Sequence, residues 1–206
     1  MINKALLRLT LDELNHKILS MTISDTRSDG TLVPHPAACG RGSTTPTIMF
    51  IGEALGQEEE IQRSPFVGPA GKVLNSLLHE SGLFSIPHYI TNVVKIRPTN
   101  GLRNRTPTQD EVDFWEPFIE KEIELLQPKI LVGLGKIASL WLLGWMVEDT
   151  VSMKELHGNM NVDAYIRHGC TPIKIMPSYH PAATIYQHGL RSVMLDDFIN
   201  LRKYLA

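Results

Sequence analysis

Four short apolar runs, TIMFIG (47–52), YITNVV (89–94), KILVGLG (129–135) and IKIMPS (173–178), alternate with stretches of helical periodicity at about 70–82, 109–127, 136–144 and 191–205. Runs of this length bounded by turn residues read as strands buried on both faces, and strands separated by helices pair in parallel. The pattern predicts an α/β fold, a three-layer α/β/α domain around a central, mostly parallel four-stranded sheet. Thr108 and Glu111 have the spacing of a capping box at the start of the third helical stretch, and Pro117 is placed to kink it. Before the first strand, Leu6, Leu7, Leu9, Leu11, Leu14, Ile18 and Leu19 suggest a helix over 1–20, followed by a Ser/Thr/Gly/Pro-rich loop to Pro46. With 206 residues, 43% of them apolar, the chain can bury one sizeable core. A single domain over 1–206 is expected, with 1–46 as N-terminal helix and loop and 47–206 as the α/β core.

Composition narrows the chemistry. Cys39 and Cys170 are the only cysteines and no C-x-x-C occurs, so neither a disulfide framework nor a cysteine-ligated metal site is written in the chain. A formal charge of −2 gives no global attraction to phosphates, so a nucleic-acid surface would have to be a local basic patch. No apolar stretch is long enough to span a bilayer and no secretory signal is visible, which predicts a soluble, cytoplasmic protein without membrane partners.

In open α/β sheets ligands bind beyond the carboxyl ends of the strands. GLGKIA (133–138) has the G-x-G-x-x-A form of a dinucleotide-binding turn, but no later strand ends in an acid about 20 residues on, where a ribose would be held. It reads as a tight strand-to-helix turn. SYHPAA (178–183) puts His180 just past the last strand, its backbone restricted by Pro181, as a donor to a developing anion. KIRPTNGLRNR (95–105) gathers Lys95, Arg97, Arg103 and Arg105 into the best local phosphate-binding patch. Glu53, one residue past the first strand, can orient water or stabilise a cation, and Phe66 in SPFVG can stack on a flat ring.

GEALGQEEEIQRSPFVGPAG, ITNVVKIRP, QPKILVGLGKIA and SYHPAA resemble, in order and spacing, the motifs of the uracil-DNA glycosylase superfamily, above all its family 4 branch. The resemblance implies a pocket for a pyrimidine flipped out of DNA. Glu53 and His180 would be catalytic, handling the water and stabilising the leaving base anion. Gly52, Glu59, Phe66 and Asn92 would bind the base, Phe66 stacking on its face, Asn92 reading its pairing edge and Glu59 walling off the C5 side. Lys95, Arg97, Arg105, Pro181 and Arg191 would contact DNA, the loop from His180 to Arg191 wedging into the duplex.

The departures from that branch are specific. Family members hold an iron-sulfur cluster on four cysteines; the matching positions here are Ile18, Met21, Ile96 and Trp115, all apolar. No cofactor is therefore expected. Leu55 and Arg63 replace a Pro and a Gly and are expected to reshape the pocket rim, where Gln57, Glu58, Glu60 and Arg63 could contact an adduct on the base. The resemblance points to a monomeric, monofunctional DNA glycosylase acting on uracil or on a modified pyrimidine such as glucosylated hydroxymethylcytosine of phage DNA. The alternatives are a catalytically silent DNA-binding module of the same fold and, last, a nucleotide-cofactor enzyme built on GLGKIA.

Overall fold

The computed structural model describes residues 9–26, 31–101, 103–144, 146, 150–160, 162–164 and 173–205. Its centre is a sheet in which β5 (His88–Asn92), β4 (Ile48–Gly52), β6 (Ile130–Leu134) and β8 (Ile173–Ser178) lie side by side in parallel. These are the four strands that the apolar runs predict. Two short antiparallel strands extend the sheet to six, β3 (Arg41–Gly42) beside β5 and β7 (Val162–Ala164) beside β8.

Period-two alternation along each strand feeds two cores. Met49, Ile51, Tyr89, Leu131 and Ile175 face one side, with Trp115, Phe118 and Ile119 of α4 (Gln109–Leu126) and Leu14 and Ile18 of α1 (Leu11–Ser20). Ile48, Phe50, Ile90, Val132 and Met176 face the other, with Leu74, Leu77 and Leu78 of α3 (Pro69–Glu80) and Met194, Phe198 and Leu201 of α8 (Gly189–Tyr204). Strands buried on both faces carry no polar stripe, which explains their unbroken apolar spelling.

The capping box at Thr108 forms as the spacing requires: the Thr108 side chain accepts from Glu111 N, and Glu111 accepts from Thr108 N at 2.8 Å. Helix α4 runs on through Pro117 to Leu126. The first helix begins at Leu11, capped in the same way by Thr10 and Glu13, and Leu6 and Leu7 lie outside the described residues. The predicted loop after it contains a hairpin, β1 (Thr22–Thr26) with β2 (Leu32–Pro36). The acidic stretch Gln57–Gln62 forms helix α2, with Glu58, Glu59 and Glu60 in its first turn, where carboxylates favour the positive end of the helix dipole.

The four positions matching cluster ligands all belong to the first core or its edge. Ile18, Ile96 and Trp115 are buried in the first core and Met21 packs against it. None of the four offers a thiolate, so this donor set does not fit an iron-sulfur cluster held by cysteines.

Lys95 corrects the sequence expectation most sharply. It is 1% exposed, and its ammonium donates to Thr91 Oγ1 at 2.6 Å and to Glu122 Oε2 at 2.5 Å inside the core. A phosphate cannot reach it. Lys95→Met is expected to cost about 3 kcal/mol of stability, because Glu122 would stay buried without its cation. Urea unfolding measures that loss, and DNA affinity per folded molecule should not change.

Candidate active site

Parallel pairing brings Gly52 and Asn92 side by side at the carboxyl edge of the sheet, where they are register partners. Glu53 follows β4 by one residue and His180 follows β8 by two, with β6 between those strands. The gap above β6 is open because Gly135 carries no side chain: a Cβ there would lie 3.0 Å from His180 Cβ. Gly135 also has φ +98°, a conformation that glycine tolerates. Gly135 of GLGKIA thus clears room for a histidine, and Gly133 lets the strand approach Ser139, where a Cβ would lie 2.9 Å from Ser139 Cα.

Phe66, in the turn between α2 and α3, leans over Gly52. A Cβ on Gly52 would stand 2.6 Å from Phe66 Cζ and would collide with Asn92 Oδ1, so only glycine leaves both side chains in place. The Phe66 and His180 rings lie 5.8 Å apart, inclined by 33°. Glu53, Phe66, Asn92 and His180 line a cavity of about 540 Å³, with Leu55, Gln57, Glu58, Glu59, Asn104, Arg105, Ile185 and Tyr186 around them. That volume is in the usual range for small-molecule sites. Asn92 is 3% exposed, and among the described residues no hydrogen bond engages its side-chain amide, which leaves that amide to a ligand.

Two titratable groups in the cavity are moved in opposite directions by the same cause. Burial pushes the Glu53 carboxyl up to about 7. Burial also pushes His180 down to about 4, partly offset by the charge of Glu59. His180 is therefore neutral at physiological pH. The Ala182 N–H donates to His180 Nδ1 at 3.2 Å, which places the ring proton on Nε2 as a donor. A carboxylate that ionises near neutrality and a neutral imidazole donor suit a reaction that separates a cation from an anion.

A pH profile follows. If the ionised Glu53 is the working form, kcat/KM rises with pH through about 7 and levels off above it, with no second transition from His180 down to about pH 4. Steady-state rates across pH 5 to 9 check this.

The remaining sequence-derived residues divide. Glu59 lines the cavity, but its Oε1 accepts from Val67 N at 3.1 Å and Gly68 N at 2.8 Å, binding the turn that starts α3. Arg105 also lines the cavity and is held bidentately by Glu111 at 2.6 and 2.8 Å. Arg97 donates to Asn104 Oδ1 at 2.6 Å and pairs with Glu60 at 3.3 Å, while Arg103 is exposed. Arg191 pairs with Glu80 of α3 at 2.5 Å, away from the cavity lining. Pro181 is buried and cannot enter a duplex; the exposed large apolar side chains between His180 and Arg191 are Ile185 and Tyr186, at 41% and 84%.

The rim also differs from expectation. Gln57 and Glu58 line the cavity, whereas Glu60 turns to His35 and Arg97. Arg63 points away, donating to the carbonyls of Ala37 at 3.0 and 3.2 Å and of Leu19. Asn104 joins the cavity from a loop and Ile185 and Tyr186 from the four-residue helix Ala183–Tyr186, segments too short to carry periodicity, and only the topology brings them there.

The sequence pattern of the Uracil DNA glycosylase superfamily matches residues 39–202. A Type-4 uracil-DNA glycosylase of Sulfurisphaera tokodaii is 38% identical over 168 residues, which cover 81% of this chain and 74% of that protein. A Type-4 uracil-DNA glycosylase of Archaeoglobus fulgidus is 32% identical over 191 residues, 92% of this chain and 90% of the relative. A DNA polymerase of Bacillus phage SP01 is 27% identical over 161 residues, 77% of this chain but 16% of the polymerase. With the family pattern spanning every strand end that builds the cavity, this chain belongs to the uracil-DNA glycosylase superfamily.

Proposed function

We propose that the protein is a monofunctional DNA glycosylase that hydrolyses the N-glycosidic bond of a pyrimidine flipped out of DNA and leaves an abasic site. The observation that carries this is the convergence of Glu53, Phe66, Asn92 and His180 on one cavity. Phe66 stacks on the extruded base, and the Asn92 amide hydrogen-bonds its pairing edge. As the glycosidic bond breaks, its electron pair leaves with the base. His180 Nε2–H donates to the base carbonyl where negative charge collects, and the Glu53 carboxylate stabilises the sugar cation and takes a proton from the attacking water. No lysine lines the cavity among the described residues, which favours water over an amine as nucleophile.

Uracil is the base named by the Type-4 relatives and is the first substrate proposed. A modified pyrimidine such as glucosylated hydroxymethylcytosine, excised in phage defence, is the second. It is favoured by the extension of the cavity past the base-reading residues to Gln57, Glu58 and Asn104. An asparagine amide can serve either base, since it offers an acceptor and donors in two orientations.

Arg105 beside the cavity and the exposed Arg103 are proposed to hold phosphates, with Ile185 and Tyr186 entering the stack behind the flipped base. One chain supplies every residue of this site, which supports action as a monomer. The chain folds without an iron-sulfur cluster in this account. The purified protein is expected to contain no iron; a brown preparation bleached by a chelator would contradict that.

The test is incubation with oligonucleotides carrying uracil, hydroxymethyluracil or glucosylated hydroxymethylcytosine, followed by alkaline cleavage at abasic sites. Scission at one of these bases supports the enzyme and identifies its substrate. DNA binding with no scission on any of them would favour a silent DNA-binding module.

A further inference from the structure

The turn that carries Phe66 is gripped from outside the cavity, and we propose that Arg41 is a positioning residue that sets the Phe66 ring for base stacking. This rests on the role proposed above for Phe66. Phe66 has φ +54°, the left-handed region, where a bulky aromatic residue is an outlier. Such a conformation persists only where its surroundings over-determine it, and it concentrates at functional sites.

Two opposite charges supply that constraint. The Arg41 guanidinium donates from Nε to the Pro65 carbonyl at 2.8 Å and from Nη2 to the Phe66 carbonyl at 3.2 Å. Just beyond, the Glu59 carboxylate accepts from the N–H groups of Val67 and Gly68. Two successive carbonyls therefore meet a cation and the next two amides meet an anion, which fixes the peptide dipoles on both sides of the Phe66 side chain. Gly71 completes the seat, because a Cβ there would collide with the Phe66 carbonyl.

The clamp also sets a distance. Arg41 lies in β3 opposite Ile90 of β5, the strand that ends in Asn92. The stacking ring is thereby referenced to the strand that carries the base-reading amide. Only a planar fork reaches two carbonyls at once, and a lysine would hold one. Arg41 does not line the cavity, so its effect on the reaction passes through Phe66.

A double-mutant cycle tests this. Steady-state base release and thermal midpoints are measured for the unaltered protein, Arg41→Ala, Arg41→Lys, Phe66→Ala and the Arg41→Ala/Phe66→Ala pair. Arg41→Ala is expected to lower kcat/KM roughly tenfold with the protein still folded at the assay temperature, and Arg41→Lys to lose less. In the Phe66→Ala background Arg41→Ala should cost nothing further. Equal losses in both backgrounds, as a phosphate contact or a general stability role would give, would overturn the proposal. Release unchanged by Phe66→Ala would sink the stacking role and the Arg41 proposal together, so the two failures are distinguishable.

Discussion

Glu53→Gln is expected to lower base release about a thousandfold while making the protein more stable at pH 8. The two effects share one cause. The Glu53 carboxyl is buried, which raises its pKa from 4.5 to about 7. A carboxyl held above its unfolded value stabilises the fold fully below pH ~4.5; that contribution is lost as pH rises through about 7. At pH 8 the native state thus carries a buried charge at a cost of about 3 kcal/mol, which neutral glutamine does not incur. In the proposed mechanism the same charge acts against the sugar cation and accepts the water proton. Thermal unfolding at pH 4 and pH 8 should show the variant ahead only at the higher pH. A Glu53→Gln protein that kept its activity, or lost stability at pH 8, would remove Glu53 from this role.

His180→Ala is expected to reduce kcat about a thousandfold with a much smaller change in KM. The reason is the protonation state rather than charge. A ring with a pKa of about 4 whose Nδ1 accepts from Ala182 N presents Nε2–H as a neutral donor, which in the proposed mechanism meets an oxygen that becomes anionic only as the bond breaks. A donor of that kind acts on the transition state more than on the bound substrate. The ascending limb of the pH profile belongs to Glu53 and should survive in the residual activity of the variant. A loss confined to KM would instead make His180 a binding residue.

How much of this was legible in the sequence follows from what each residue's role depends on. The parallel strands were readable because strands buried on both faces leave continuous apolar runs; Glu53 and His180 were readable because they sit one and two positions past the ends of those runs, and Asn92 through the resemblance of ITNVVKIRP to a family motif. The edge strand at Arg41–Gly42 was not, since two residues carry no periodicity. Helix α2 leaves no apolar periodicity because five of its six residues are polar, and the ion pairs of Glu60 with His35 and Arg97 are tertiary. Lys95 looked like a phosphate ligand beside Arg97, yet only the packing of α4 against the sheet shows that Glu122 claims it. Arg63 similarly stood next to the pocket in sequence and points away in space. Arg41 left no trace in the sequence, because a clamp on backbone carbonyls requires no partner side chain.

The most direct measurement is the mass of what leaves the DNA. The protein is incubated with a duplex and with a single strand containing one uracil, the small molecules are separated, and the released species is weighed, with Glu53→Gln as the control. Free uracil, an intact abasic strand until alkali is added, and about a thousandfold less uracil from the variant are expected. Equal release by the variant, a strand cut without alkali, or no free pyrimidine from either uracil or a modified pyrimidine would contradict it.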